Sequence, residues 1–196
     1  NLPKNYKEYP YILASFPNSF YEKKMWYTKQ RNNEGWHYET AKQTSQKVDK
    51  DKLDLICDTV RKNLELRLNV NYKKTFNSKW KTELANTYYN PSDMTADINK
   101  YVKNAKKRKV VVESSKIVVD PSMVWRNDAT EYYVKVFIQF KVKNGSVPNA
   151  TTKKQNEVIF GNYVAMKGLE SHKTVTYCDE ITVGVSGNNG QISQIG

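Results

Sequence analysis

An α+β fold, with N-terminal helices packed on one face of a curved antiparallel sheet of about four strands, is what this sequence predicts, and three observations predict it. Residues 132–142 alternate: Tyr132, Val134, Val136, Ile138, Phe140 and Val142 are all apolar, with Lys135, Gln139 and Lys141 among the residues between them. That is the period-two signature of a strand with one buried face. Apolar residues within 41–68 recur instead at three- and four-residue steps, as a helix requires. Finally, helical patterns fill the first half of the chain and strand patterns the second, a succession that gathers helices on one side of an antiparallel sheet.

Taken in order, residues 1–40 read as an arm and hairpin docking on the main body. Pro3, Pro10 and Pro17 break regular structure while Tyr6, Tyr9, Tyr11, Phe16, Phe20 and Tyr21 need something to pack against. Met25 to Tyr38 reads as a hairpin around Gly35, with Trp26, Tyr27, Trp36 and Tyr38 paired across it. An α+β domain over 41–185 follows. Its clearest helix spans 41–68, with Leu53, Ile56, Cys57, Val60, Leu64 and Leu68 on one side and acids before bases along the axis. Residues 78–88 make a short helix bearing Trp80 and Leu84, and Pro91 opens another that runs to about Lys107. Val110 to Val119 is a strand whose alternation stumbles at Ser114-Ser115, so a bulge or bend is expected there. The central strand comes next, then a polar loop over 144–155, then strands at 157–166 and 174–185. Residues 186–196, with their glycines, read as a flexible tail. The whole resembles the cystatin-like or NTF2-like arrangement.

A chain of 196 residues fits one good-sized domain. Mean hydropathy is low at −0.79, yet 14 Tyr, 6 Phe and 4 Trp supply apolar area for a core. No apolar run approaches the roughly 18 residues of a membrane span. The chain begins on Asn1 and reads as an excised or processed piece. Net charge is +12, spread evenly: 18 basic against 12 acidic residues up to Lys100, and 14 against 8 beyond it. The sharpest cluster is Lys106, Lys107, Arg108 and Lys109, which a helix dipole alone favours at a C-terminus and which also suits a polyanion. Trp26, Trp36 and Tyr38 form a second candidate, an aromatic contact surface of the kind that stacks on sugars.

Catalytic patterns fail one after another. His37 and His172 have no ligand partner at a metal-binding spacing, so no metal and no cofactor is expected. Gly184-Val185-Ser186-Gly187 has Asn188 where a nucleophile elbow needs glycine. Cys57 and Cys178, with 120 residues between them, read as two separate, partly buried thiols. Asp179 and Glu180 would point to opposite faces of a strand. Nucleic-acid binding is disfavoured, since no helix carries a continuous basic face with side chains set for base edges.

The opening Asn1-Leu2-Pro3-Lys4-Asn5-Tyr6-Lys7-Glu8-Tyr9-Pro10, then Phe16-Pro17-Asn18-Ser19-Phe20-Tyr21-Glu22 and Leu66-Arg67-Leu68-Asn69-Val70-Asn71-Tyr72-Lys73 with Trp80 after it, resemble the region that follows the stalk module of secreted Gram-positive proteins. That module is often labelled copper amine oxidase N-terminal-like. The similarity touches most of residues 1–166 and implies an extracytoplasmic, cell-surface protein; it carries over no catalytic residue. Amine oxidation itself is excluded. Its quinone arises from a tyrosine in an Asn-Tyr-Asp or Asn-Tyr-Glu setting and its copper needs three histidines. Here Asn5-Tyr6-Lys7, Asn71-Tyr72-Lys73 and Asn162-Tyr163-Val164 stand with two histidines in all. The expected function is a non-catalytic cell-envelope interaction domain whose basic surface meets an anionic cell-wall polymer or a membrane surface. A pocket-bearing NTF2-like enzyme of hydrolase type, or a small-ligand binder, is the alternative. Polar residues turned inward between sheet and helices would favour it, and a filling of Val, Ile and Phe would favour a binding or structural role. A nucleic-acid-binding protein is third.

Overall fold

The structure, a computed structural model, describes residues 1–23, 38–127, 131–145, 157–161, 174–184 and 192–195, the last two ranges as backbone. The N-terminal arm makes a 3-10 turn at Tyr6–Glu8 and a short helix α1 (Asn18–Glu22) that Pro17 precedes. The hairpin expected over 25–38 lies, apart from Tyr38, outside the described residues.

The helix expected over 41–68 is two helices. Thr40 starts α2 (Ala41–Lys47) with a capping box: its side chain accepts from the Gln43 amide and the Gln43 side chain accepts from the Thr40 amide. Val48 and Asp49 then turn extended, and α3 (Lys50–Leu68) begins with Asp49 at its N-cap and Asp51 in its first turn. β-branched Val48 favours the extended backbone at the break, while the Asp49 side chain makes no cap hydrogen bond, and the unbroken apolar pattern conceals the interruption. Two more helices follow, α4 (Ser78–Ala85), capped by the Asn77 side chain, and α5 (Pro91–Arg108), with proline in its first turn.

Among the described residues, six antiparallel strands form one sheet: β1 (Val70–Asn71), β2 (Val111–Val118), β3 (Val124–Arg126), β4 (Glu131–Asn144), β5 (Thr174–Gly184) and β6 (Ile192–Ile195). The α+β class is therefore the one the sequence predicts. β4 is the centre. β5 runs along one side of it through eleven paired residues, while β2 and β3 lie end to end along the other. The register slips between Ser114 and Lys116, leaving Ser115 as the extra residue of a bulge where the alternation stumbles. Two readings need correction. Residues 192–195 pair with β5 as a strand, the two isoleucines giving β-propensity within a glycine-rich stretch. The strand expected from Glu157 is a run of turns over 157–161.

The alternation in β4 does place one face against the helices. Tyr132, Val134, Val136, Ile138, Phe140 and Val142 are all 7% exposed or less and share a core with Leu53, Ile56, Val60, Leu64, Trp80, Ile98 and Tyr101. The expectation of a single buried face is, however, wrong for the first half of the strand. Tyr133, Lys135 and Phe137 are buried too, under Tyr9, Phe16, Phe20 and Tyr21 of the arm together with Met123 and Trp125. Phe16 stacks on Phe20 at 4.7 Å, and Phe20 meets Phe137 edge-on at 5.9 Å. Lys135 is accommodated because the end of α1 leaves carbonyls without partners. Its ammonium donates to the carbonyls of Phe20 and Lys23 and lies 4.7 Å from the Phe20 ring.

The 157–161 turns fill the remaining space on the helix side, with Val158, Ile159 and Phe160 all buried. Arg67 holds them. Buried on α3, it donates from Nε to the Phe160 carbonyl at 2.6 Å, from Nη2 to that of Gly161, and from Nη1 to the Asn63 side chain. The Tyr101 hydroxyl donates to the Val158 carbonyl. Replacing Arg67 by alanine leaves two carbonyls without their donor, at about 1–3 kcal/mol for each such buried group. The expected loss is about 3 kcal/mol, read as a lower urea midpoint at constant slope.

Glu39 ties α2 to β3. Its carboxylate accepts from Arg126 Nε at 2.7 Å and from Lys47, and its amide donates to the Arg126 carbonyl. The Arg126 hydrogen bond, aided by Lys47, holds the Glu39 carboxyl below its ordinary value of 4.5. A depressed carboxyl stabilises the fold in full above the unfolded value and loses that contribution as pH falls through the folded one. Glu39→Gln should thus lower the melting midpoint at pH 7, and the gap from the unsubstituted protein should close as pH falls below 4.5.

Candidate functional site

Helix α5 delivers the basic cluster to one end of the sheet. Ile98, Tyr101, Val102 and Ala105 bury one side of the helix, so the residues between them face water. The helix ends in a Schellman motif: the Val110 amide donates to the Ala105 carbonyl at 2.9 Å and the Lys109 amide to that of Lys106 at 3.1 Å. Lys109 takes the left-handed conformation, at φ 56°, that glycine usually supplies there. A non-glycine residue pays roughly 1 kcal/mol for it. The position therefore carries a cation where local backbone preference asks for none.

The pairing of β1 with β2 adds two lysines from elsewhere in the sequence. Asn71 stands opposite Val111, and the next amide, Tyr72, donates to the Val110 carbonyl at 3.0 Å. There the chain turns, the Lys74 and Thr75 amides donating to the Asn71 carbonyl, so Lys73 and Lys74 lie in the turn that follows the Tyr72–Val110 contact, with the Lys73 ammonium 5.6 Å from the Tyr72 ring. Lys73, Lys74, Lys106, Lys107 and Lys109 are all exposed, and none has an ion pair among the described residues. Lys100 and Lys103 continue the exposed side of α5 back from Lys107. The helix dipole explains cations on α5 itself; it does not explain Lys73 and Lys74, which lie off the helix.

Arg108, the fourth of the predicted basic residues, is placed differently. Its guanidinium donates from both Nε, at 2.7 Å, and Nη2 to one oxygen of Glu157, with both side chains about a quarter exposed. Lys143 at the end of β4 is likewise paired, with Glu113. The end of β4 packs against the residues that follow α5: Gly145, at φ +87°, stands so near Val110 that a Cβ there would lie 2.7 Å from its side chain, and Asn144 donates to the Lys109 carbonyl.

Of the aromatic candidates, Trp26 and Trp36 lie outside the described residues. Tyr38 is half-buried, bridged to Asn127 and edge-on to Tyr133 at 5.6 Å, so its ring serves the arm-side core rather than an open face. Cys57 is a free thiol buried in the helix-side core, where desolvation first and Asp120 second push it up to about 12, leaving it protonated and unreactive near neutral pH. Among the described residues, no group of His, Cys, Asp and Glu is set to hold a metal, and no helix is long and apolar enough to cross a membrane. A groove of about 580 Å³, open to solvent, runs between α3 and the bulged part of β2, and its charges are mixed: Lys62 and Lys116 against Glu65 and Glu83.

An α+β scaffold with a cationic end is the class that fold and site define. No family model, curated protein or solved structure matches the chain.

Sequence reasoning finds Lys106 to Lys109 as a run but misses Lys73, Lys74 and Glu157. The one available signal for the two lysines is their place right after Asn71-Tyr72, where a strand pairing with the residues that follow α5 would bring them alongside. Nothing in the spacing of Glu157 points to Arg108.

Proposed function

We propose that this chain is a non-catalytic, extracytoplasmic interaction domain that docks on an anionic cell-wall polymer through its cationic end. The observation that carries the reading is the strand pairing that sets the turn holding Lys73 and Lys74 next to Val110, the residue that follows Lys106, Lys107 and Lys109; all five are exposed cations without a carboxylate partner among the described residues. Like charges on one surface repel one another, and beyond the helix-dipole complement of Lys106 and Lys107 they add little to the fold; a phosphate-bearing polymer turns that repulsion into attraction. Support for binding over a pocket enzyme comes from the space between sheet and helices, which Val158, Ile159 and Phe160 fill against the all-apolar face of β4. The finer fold reading is cystatin-like or NTF2-like, supported by a long helix, α3, packed across antiparallel strands. The likeness to the region after the Gram-positive stalk module supports a place at the cell surface.

The test is sedimentation of the purified domain with isolated Gram-positive cell walls, before and after extraction of teichoic acid, with anionic phospholipid vesicles as a separate arm. Retention that needs the polymer and falls steeply with salt is the expected result. Retention on vesicles alone would move the ligand to a membrane surface, and none on either at low salt would remove the proposal.

A further inference from the structure

We infer that Arg108 is a reserve phosphate ligand of the same cationic end, held back by Glu157 as an internal competitor. This rests on the polyanion reading above. Arg108 sits within the run Lys106 to Lys109, yet alone among those four it is committed to a carboxylate among the described residues, and that carboxylate comes from 49 residues further along the chain. Glu157 is not placed there by a neighbouring turn of helix. It stands at the head of the segment that Arg67 and Tyr101 pin into the core through the carbonyls of Phe160, Gly161 and Val158, so the fold presents it at a fixed position.

The pair is chemically suited to exchange. Arg108 uses Nε and one terminal nitrogen on a single carboxylate oxygen, the side of the guanidinium fork that also grips a phosphate through two parallel hydrogen bonds. Both side chains are about a quarter exposed, open enough for an incoming anion to reach and closed enough for the bond to be worth keeping. A phosphodiester drawn in by Lys106, Lys107 and Lys109 arrives next to a guanidinium whose present partner carries one charge of the same sign as its own. Displacing Glu157 then gives the polymer the only side chain of the cluster with a planar donor fork. Weakly charged or short anions, which engage too few lysines, leave the Glu157 contact intact. The cluster thereby discriminates dense polyanions from scattered charge.

Titration of the full chain with inorganic polyphosphate, followed by fluorescence anisotropy, tests this with three proteins: unsubstituted, Glu157→Gln, and Glu157→Gln combined with Arg108→Lys. The amide removes the competing charge and keeps the shape, so Glu157→Gln should bind about fivefold more tightly, as one additional cation at an anionic surface allows. Arg108→Lys retains the charge and loses the fork, and most of that gain should vanish with it. An unchanged affinity for Glu157→Gln would overturn the inference, as would a gain that survives Arg108→Lys, since long-range charge would then account for it. Binding by the unsubstituted chain in either case leaves the polyanion reading standing, whereas absence of binding by all three proteins at low salt removes both. Circular dichroism of each variant checks that the 157–161 turns remain in place, and the Glu157→Gln arm is repeated as Glu157→Ala if that amide perturbs them.

Discussion

Phe20→Ala is expected to destabilise the protein by about 3–5 kcal/mol, the range for removing a buried phenylalanine. Phe20 is 2% exposed, stacked on Phe16, edge-on to Phe137, and the platform over which the Lys135 ammonium lies. Set against a total stability of about 5–15 kcal/mol, such a loss removes a large share of it, and at the lower end of that range would approach unfolding at room temperature. Leu2→Ala on the same arm should change stability by no more than about 0.5 kcal/mol, because Leu2 is 62% exposed. Chemical denaturation of both variants decides whether residues 1–23 are part of the core. Equal and small effects would mean that the arm lies on the sheet without supporting it.

The second large effect is on binding. Replacing Lys73, Lys74, Lys106 and Lys107 together by alanine should weaken attachment to an anionic polymer by about 4 kcal/mol, at about 1 kcal/mol for each lysine near an anionic surface, or roughly a thousandfold. The fold should lose less than about 1 kcal/mol, from the dipole complement of Lys106 and Lys107, since all four side chains are exposed and without ion pairs among the described residues. Replacing Lys73 and Lys74 alone should give about half the binding effect. That pair separates a site built by two chain segments from a basic helix end.

The parts of this architecture that repeat locally are legible in the chain. The period of 132–142 marks β4, and the three- and four-residue steps from Leu53 to Leu68 mark α3 and its buried side. What is not legible is set by contacts between distant segments. Lys135 reads as a solvent residue because a lysine is ordinarily exposed. It is buried because α1 ends over it, and α1 lies more than a hundred residues earlier in the chain. The same holds for the site. Lys106 to Lys109 stand together in sequence, but Lys73 and Lys74 join them through a strand pair only two residues long, and Arg108 is withdrawn by a glutamate 49 residues away. The helix break at Val48 and Asp49 is of another kind: an apolar pattern with the right period on both sides conceals a two-residue interruption.

The salt dependence of polymer binding tests the central claim most directly. Affinity for polyphosphate, measured across a salt series for the unsubstituted chain and the fourfold lysine variant, should give straight lines of log K against log salt. The variant's line should be shallower by about 3, from four contacts at about 0.7 each for a single-stranded polyanion. Equal slopes would mean that the polymer is held elsewhere on the surface, and a flat line for the unsubstituted chain would contradict an electrostatic site altogether.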